Sequence, residues 1–386
     1  MTAISLNQVL LQLMMIRRSA YILFLFTAQI CLPLQGQSAI QEVVYERVPD
    51  KGIQPQLLTD HTGTTHLIYF NRTTHEGRNR SGDLYYRQRL DGNKWSQAVK
   101  VSDKSFNHMG PVGKASAYID DQQRVHVVWF LPDGGYLYSR SNLARTAFEP
   151  GRAIVTEFTD GLDAEASLTG VDNLITISWH AGSLMNEAAR AVYSVTSENY
   201  GINFGASQLT SDPTLGACAC CTLDSQYDNQ KNLQIAYRSA INNVGRHMQV
   251  NYQALQSQTR TTKSVGEWTI NACPVSSNQL HKDWLVFETQ GNLFQINFLV
   301  DDVATALPAR DIRQKHPVIA TNTDGLRLIA WLEADGYFKG GTMALRVFDA
   351  NNQPVEVTAI PAEANVDDFS VVGATGLSDN RFLVLY

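Results

Sequence analysis

Along most of this chain a polar turn leads into a short, β-branched run that closes on a large side chain. The stretch "DHTGTTHLIYF", Asp60 to Phe70, is matched by "DDQQRVHVVWF", Asp120 to Phe130. The pattern returns as "VDNLITISWH" ending at His180, "DNQKNLQIAYR" at Arg238 and "HKDWLVFE" at Glu288. It closes with "TDGLRLIAWLE" ending at Glu333 and "SDNRFLVLY" at Tyr386. Period-2 alternation bounded by Asp, Gly and Asn predicts strands, and helical 3.6-residue periodicity is scarce after residue 39. The matched positions Tyr69, Trp129, Trp179, Tyr237, Phe287, Trp331 and Leu385 lie 60, 50, 58, 50, 44 and 54 residues apart. A preceding strand such as "PQLLTD" or "HPVIATN" and a following one such as "DLYYRQR" or "MQVNYQA" fill most intervals.

An all-β chain with such a repeat predicts a β-propeller of four-stranded blades, whose radial closure leaves few exposed edges. A pair of sandwiches would not produce seven matched units. Seven inner pairs favour seven blades, with six left open if one pair is a decoration. The last copy, residues 367–386, supplies only two strands, and "QEVVYERV" at Gln41 to Val48 completes it. The ring is therefore expected to close by pairing the N- and C-terminal strands.

The N-terminus has a different texture. Arg17 and Arg18 precede an uncharged apolar run, Ser19 to Leu34, and small residues follow at Gly36 to Ala39. This order predicts a secretory signal peptide over residues 1–38, with residues 1–13 read as a misassigned start ahead of Met14 or Met15. Sixteen residues interrupted by Pro33 are short for a membrane span, so no membrane insertion is expected after cleavage. The expectation is one propeller domain over residues 39–386, exported to the periplasm or the exterior. The formal charge is −6, and losing the two leader arginines makes it more negative. With no Lys/Arg run, nucleic acid and anionic membrane surfaces are poor partners.

Chemistry concentrates in one place. "TLGACACCTLDSQ" holds Cys218, Cys220 and Cys221, and "WTINACPVSS" holds Cys273. Propeller connectivity opens the loops entering each inner strand and those leaving each second strand on the same face. The entering loops bring His108, Asp160, Asp163, the four cysteines, His316, Asp367 and Asp368. The leaving loops bring Arg72, His75, His180, Arg238, Glu288, Glu333 and Lys339, with Arg246 and His247 just beyond. Singly, each reads as a solvated loop side chain; together they describe a polar mouth of the kind that binds ligands. In an exported chain the cysteines predict disulfides, with Cys273 joined to one of the other three and a second bond inside the cluster. Two alternatives stay open: a Zn or Cu(I) site completed by His180 or His316, and a thiol nucleophile.

Three turns look like worn copies of the Asp-box S-x-D-x-G-x-x-W/F: "SENYGINF" from Ser197, "SNLARTAF" from Ser141 and "RLDGNKW" from Arg89. In order along the chain come also "SWHAG" from Ser178, the C-x-C-C cluster, "CPVSS" from Cys273, "KHP" from Lys315 and "WLEADGYFKGG" from Trp331. With these motifs the chain resembles the sialidase-like (BNR-repeat) β-propeller family, specifically an exported bacterial subgroup. Sialidase activity, as that resemblance implies it, needs three arginines on the substrate carboxylate, a Tyr nucleophile with a carboxylate base, and an Asp acid/base. Here Ile53 stands where the first arginine is expected, and "ERVP" at Glu46 to Pro49 comes slightly early. The resulting expectation is a protein that binds an acidic glycan through Arg72, His180, Arg238, Arg246, His316 and Lys339, without standard sialidase catalysis. The rivals are a glycoside hydrolase using Asp163 or Glu333, and a Cys/His metal-binding protein. A role in docking a protein partner is left open beside them.

Overall fold

The computed structural model describes residues 40–386 apart from 133, 255–258 and 309–310, so the expected signal peptide lies outside the described residues. Gln41–Tyr386 form one compact unit. Seven sheets stand around a common axis. Their inner strands are Ile53–Thr59, Ser116–Ile119, Ser167–Val171, Asp224–Tyr227, Asn278–His281, Gln314–Thr321 and Gly373–Gly376. Each inner strand touches the next, and the last touches the first, so the ring is closed with seven blades rather than six. Among the described residues no helix is long and apolar enough to cross a membrane.

The second strands explain the repeated hydrophobic runs. Val125–Leu131 and Arg327–Glu333, for example, lie between neighbouring blades and are buried on both sides. Such strands lose the simple polar/apolar alternation. Trp129 packs back onto blade 1 against Ile68 and Phe70, and Trp179 onto blade 2 against Phe130. Trp331 does the same on blade 5 against Val286 and Leu293. Burying a side chain of this size stabilises the fold by about 2–3 kcal/mol, so each repeat supplies one anchor of the blade-to-blade interface. The last match needs correction: Val384 faces back to blade 6, whereas Leu385 packs forward with Leu57 and Tyr69. A one-residue offset moves a strand side chain to the other face.

Blade 7 closes the ring as expected, with one twist of topology. Val43–Glu46 pairs with Phe382–Leu385, but the two run parallel. This N-terminal strand must finish at the mouth to feed Ile53. It therefore runs in the direction of an outermost strand while occupying the third place, and blade 7 has three strands.

Buried polar groups in blades 1 and 2 form the same relay twice. His66 donates from Nε2 to Asp60 (3.1 Å) and accepts at Nδ1 from the Tyr86 hydroxyl (2.8 Å). His126 repeats this with Asp120 (3.1 Å) and Tyr138 (2.6 Å). The turn at Ser197 keeps an Asp-box-like geometry: the Ser197 hydroxyl accepts from Gly201 N–H at 2.9 Å, and Asn199 Oδ1 accepts from Asn203 N–H at 2.9 Å. Gly201 has φ +73°, and a Cβ there would collide with the Tyr138 hydroxyl.

Candidate functional site

Two bulges aim polar residues into the mouth. In blade 1 the register shifts between Ile53 and Gln56, and in blade 6 between Lys315 and Val318. The residues before the two prolines, Gln54 and His316, have φ of 56° and 53°. Non-glycine residues rarely adopt that conformation, and bulges re-aim side chains at functional rims. Gln54 is held by Ser370 Oγ (3.0 Å) and the Phe369 carbonyl (2.9 Å). His316 is held through its backbone N–H by Glu288 Oε1 at 2.9 Å. The "KHP" motif is thus the sequence trace of a bulge.

The cysteines lie where the loops entering blades 4 and 5 meet. Cys220 and Cys273 form a disulfide, while Cys218 and Cys221 are buried free thiols. Their sulfurs are 2.9 Å apart, and Cys218 Sγ is 3.7 Å from Cys220 Sγ. One expected bond is therefore present, and the second pair stands reduced. Burial pushes the Cys221 thiol up, but the Cys218 contact, the Arg238 charge and Ser276 together outweigh it and bring it below the ordinary thiol range. Burial pushes Cys218 well up, reinforced by its hydrogen bond with Cys221, so the proton between them rests on Cys218.

The arginines expected at a ligand are spent inside the protein. Arg238 is 2% exposed, and all three of its nitrogens have partners: Ser276 Oγ (2.7 Å), the Arg246 carbonyl (2.6 Å) and the Glu288 carbonyl. Ser276 Oγ in turn donates to Cys221 Sγ at 3.4 Å. Arg246 forms an ion pair with Glu187, whose other oxygen accepts from Ala219 N–H at 3.4 Å in the cysteine loop. These two arginines brace the cysteine loop.

Both expected histidines are likewise engaged. His180 donates from Nε2 to the Cys221 carbonyl (2.9 Å), and Arg190 reaches its Nδ1 (3.3 Å). Burial and then the Arg190 charge pull His180 down to about 4. His316 bonds Ser277 Oγ (3.0 Å) and the Tyr337 carbonyl (3.1 Å), and burial pulls it down to about 3. With both ring nitrogens occupied and Cys220 and Cys273 joined, Cys218 and Cys221 are the sulfurs left as donors for a cation.

On the axis, Tyr337 packs with Val112, Ala164 and Val275. Beside this plug, Glu165 is 4% exposed, 4.0 Å from Lys114, and its Oε2 has no partner among the described residues. Burial pushes Glu165 up to about 8 against the pull of Lys114. Asp163 is half-buried, and burial raises it too, opposed by Arg190. Glu333 is buried and accepts from Trp331 Nε1 at 3.2 Å, in a groove lined by Pro308, Met343 and Ile360 on the flank of blade 6. Asp163 and Glu333 thus come from different settings.

Further charges lie on the rim of blades 6, 7 and 1, where the side chains of Lys339, Asp367 and Asp368 are exposed and that of Arg72 is 8% exposed. Arg72 approaches Asp367 at 3.9 Å, and its buried Nε has no partner among the described residues. Lys339 pairs with Asp368 at 2.9 Å. Between them Phe338 is 40% exposed, and the Arg80 guanidinium lies 5.9 Å from its ring centre and 5.5 Å from that of Phe369. Gly110 (φ +79°) lets these rings close in, since a Cβ would sit 2.8 Å from Phe338. Sequence reasoning missed Arg80, Phe338 and Tyr337, although the last two fall inside "WLEADGYFKGG". At the opposite end of the axis opens a cavity of about 700 Å³, lined by Asp60, Tyr118, Asp224, Gln279 and Thr321.

No protein-family model matches the chain, and no curated protein matches it. Among solved structures it is similar to a protein of unknown function from Dyadobacter fermentans, with TM-score 0.53 and 11% identity over 78% of this chain and 96% of that one. The six-bladed lectin of Aleuria aurantia gives TM-score 0.48 and 10% identity over 81% and 97%. The intramolecular trans-sialidase of Ruminococcus gnavus gives 0.39 and 12% over 86% and 88%. At these identities the likeness is one of fold.

Proposed function

We propose that this chain is an exported glycan-binding propeller whose ligand carries a carboxylate and docks on the rim of blades 6, 7 and 1. The observation that carries the reading is the exposed Phe338 ring beneath the Arg80 guanidinium, flanked by Arg72 and Lys339. An aromatic face takes the apolar side of a sugar ring, and arginines take a carboxylate through charge-assisted hydrogen bonds. A ligand carboxylate would replace the exposed Asp367 at the Arg72 guanidinium. Binding rather than hydrolysis is the reading because Ile53 stands at the first clamp-arginine place and Arg238 and Arg246 are spent on protein partners. The disulfide is in keeping with an oxidising compartment.

Calorimetry with a uronic-acid oligosaccharide and a sialylated trisaccharide, against a neutral oligosaccharide of equal length, tests this. The acidic ligands should bind more tightly, and Arg72→Gln with Arg80→Ala should weaken them at least tenfold (about 1.4 kcal/mol). Equal affinity for the neutral sugar, or no loss in the double variant, would sink the idea.

A further inference from the structure

A structural staple between blades 4 and 5 needs two cysteines, yet four sulfurs are gathered there. The spare pair is not scattered: Cys218 and Cys221 touch each other at 2.9 Å, and Cys218 also touches the disulfide sulfur of Cys220 at 3.7 Å. Cys218, Cys220 and Cys273 sulfurs all lie within 4.8 Å of one another. The two arms differ in access. Cys218 and Cys221 are each 1% exposed, whereas Cys273 is exposed at the surface. Burial shields the dithiol from dissolved oxidants and leaves the neighbouring disulfide as the oxidant within reach.

We propose that the four cysteines form a dithiol–disulfide relay that moves two electrons from the buried Cys218/Cys221 pair to the surface at Cys273. Thiol–disulfide exchange needs a thiolate in contact with a disulfide sulfur and a leaving thiolate that is well solvated. Cys218 supplies the contact and Cys273 the solvated leaving group, while the thiolate rests on Cys221, one proton transfer away at 2.9 Å. The shared proton passes from Cys218 to Cys221, and the Cys218 thiolate attacks Cys220 Sγ. The Cys218–Cys220 bond forms, the Cys220–Cys273 bond breaks, and Cys273 leaves as a thiolate into solvent. Cys221 then loses its proton and attacks Cys218, forming Cys218–Cys221 and expelling Cys220. Two thiols become one disulfide while one disulfide becomes two thiols, so the step needs no outside oxidant. Cys220 takes up the proton that Cys221 releases, and the exposed Cys273 takes one from solvent.

The fixed groups hold the thiol pair and its loop in place for the exchange. Ser276 Oγ donates to Cys221 Sγ, and its own position is set by Arg238 Nε at 2.7 Å. Glu187 and the Arg238 carbonyl hold the backbone of the loop, the latter through Cys218 N–H at 2.9 Å. The surface dithiol so produced is chemically suited to reduce a partner that bears an accessible disulfide. Cys273 would attack that disulfide and Cys220 would resolve the mixed species, restoring the Cys220–Cys273 bond and releasing the partner as a dithiol.

Trapping tests the relay without knowledge of the partner. The folded protein is held with iodoacetamide, quenched in acid, and its bonds mapped by mass spectrometry of a non-reduced digest. The expected product carries the label on Cys273, alone or with Cys220, together with a new Cys218–Cys221 bond. Cys218→Ser should cut Cys273 labelling at least tenfold. Label on Cys218 or Cys221 with Cys220–Cys273 intact would overturn the proposal. So would labelling no faster than global unfolding, protein isolated with no free thiol, or four thiolates around a stoichiometric metal ion. If Cys218→Ser does not fold, the position of the label in the parent protein decides alone.

Discussion

Blades 1 and 2 and the cysteine mouth use the same residue types to opposite ends. In His66 and His126 each ring nitrogen meets one carboxylate or one phenol of its own blade, and the relay is complete. At the mouth, His316, Glu288 and Tyr337 come from two strands and a loop of blades 5 and 6. Around them buried atoms stay unpaired among the described residues: Glu165 Oε2, His108 Nε2, Arg190 Nε and Arg72 Nε. A closed relay has nothing left to offer a ligand, whereas an incomplete one keeps bonding capacity at a cost in stability. The difference separates architecture from site better than the identity of any single residue.

Three substitutions probe that contrast. The largest effect is expected from Arg238→Leu, which strands Ser276 Oγ and two buried carbonyls. Loss of about 4 kcal/mol in denaturant unfolding is expected, with little change for an exposed arginine such as Arg78. A loss below about 1 kcal/mol would mean that Arg238 is available to a ligand after all.

Next comes His316→Gln. The folded value of about 3 lies below the ordinary value near 6.5, so the unfolded chain binds the extra proton between them. His316 therefore contributes stability that is complete above about pH 6.5 and lost as pH falls toward its folded value. Removing it should flatten the dependence of unfolding free energy on pH by about 1.4 kcal/mol per unit between pH 6 and 4. An unchanged slope would show that the ring is already protonated in the folded protein.

The smallest effect is expected from Glu165→Gln, and its sign is opposite. The folded value of about 8 lies above the ordinary 4.5, so the folded state holds a proton that the unfolded chain releases. That contribution is present below about pH 4.5 and fades as pH rises toward 8. The variant should therefore be more stable than its parent at pH 6, by about 2 kcal/mol, and nearly equal at pH 4. A less stable variant at pH 6 would mean that the Glu165–Lys114 ion pair outweighs burial.

Much of the ring was legible because each run carries its own evidence of a strand, and the reading missed the register at Leu385 and the three-stranded, parallel closure of blade 7. The mouth was half legible. Connectivity put Cys218, Cys273, His180, His316 and Arg238 on one face, and the structure ties Arg238 and His180 to the cysteine loop through Ser276 and the Cys221 carbonyl. Their duties were not legible. Arg238 and Arg246 resemble a carboxylate clamp until Ser276, Glu288 and Glu187 are placed beside them. Arg80 and Phe338 carried no signal beyond a charged loop and a turn-rich motif.

By itself the chain determined the alternation, the turns and the number of repeats, because strand pleat and turn geometry depend on residues within a few positions of one another. It also determined which loops share a face, since in a propeller that follows from strand order alone. Tertiary structure decided which charges are spent and which are free, and which cysteine is bonded and which is stored as a thiol. Those outcomes depend on partners 38 and 50 residues away in the chain, as Ser276 and Glu288 are from Arg238. A buried charge or thiol takes its properties from whatever packs against it, and only the closed ring sets that neighbour.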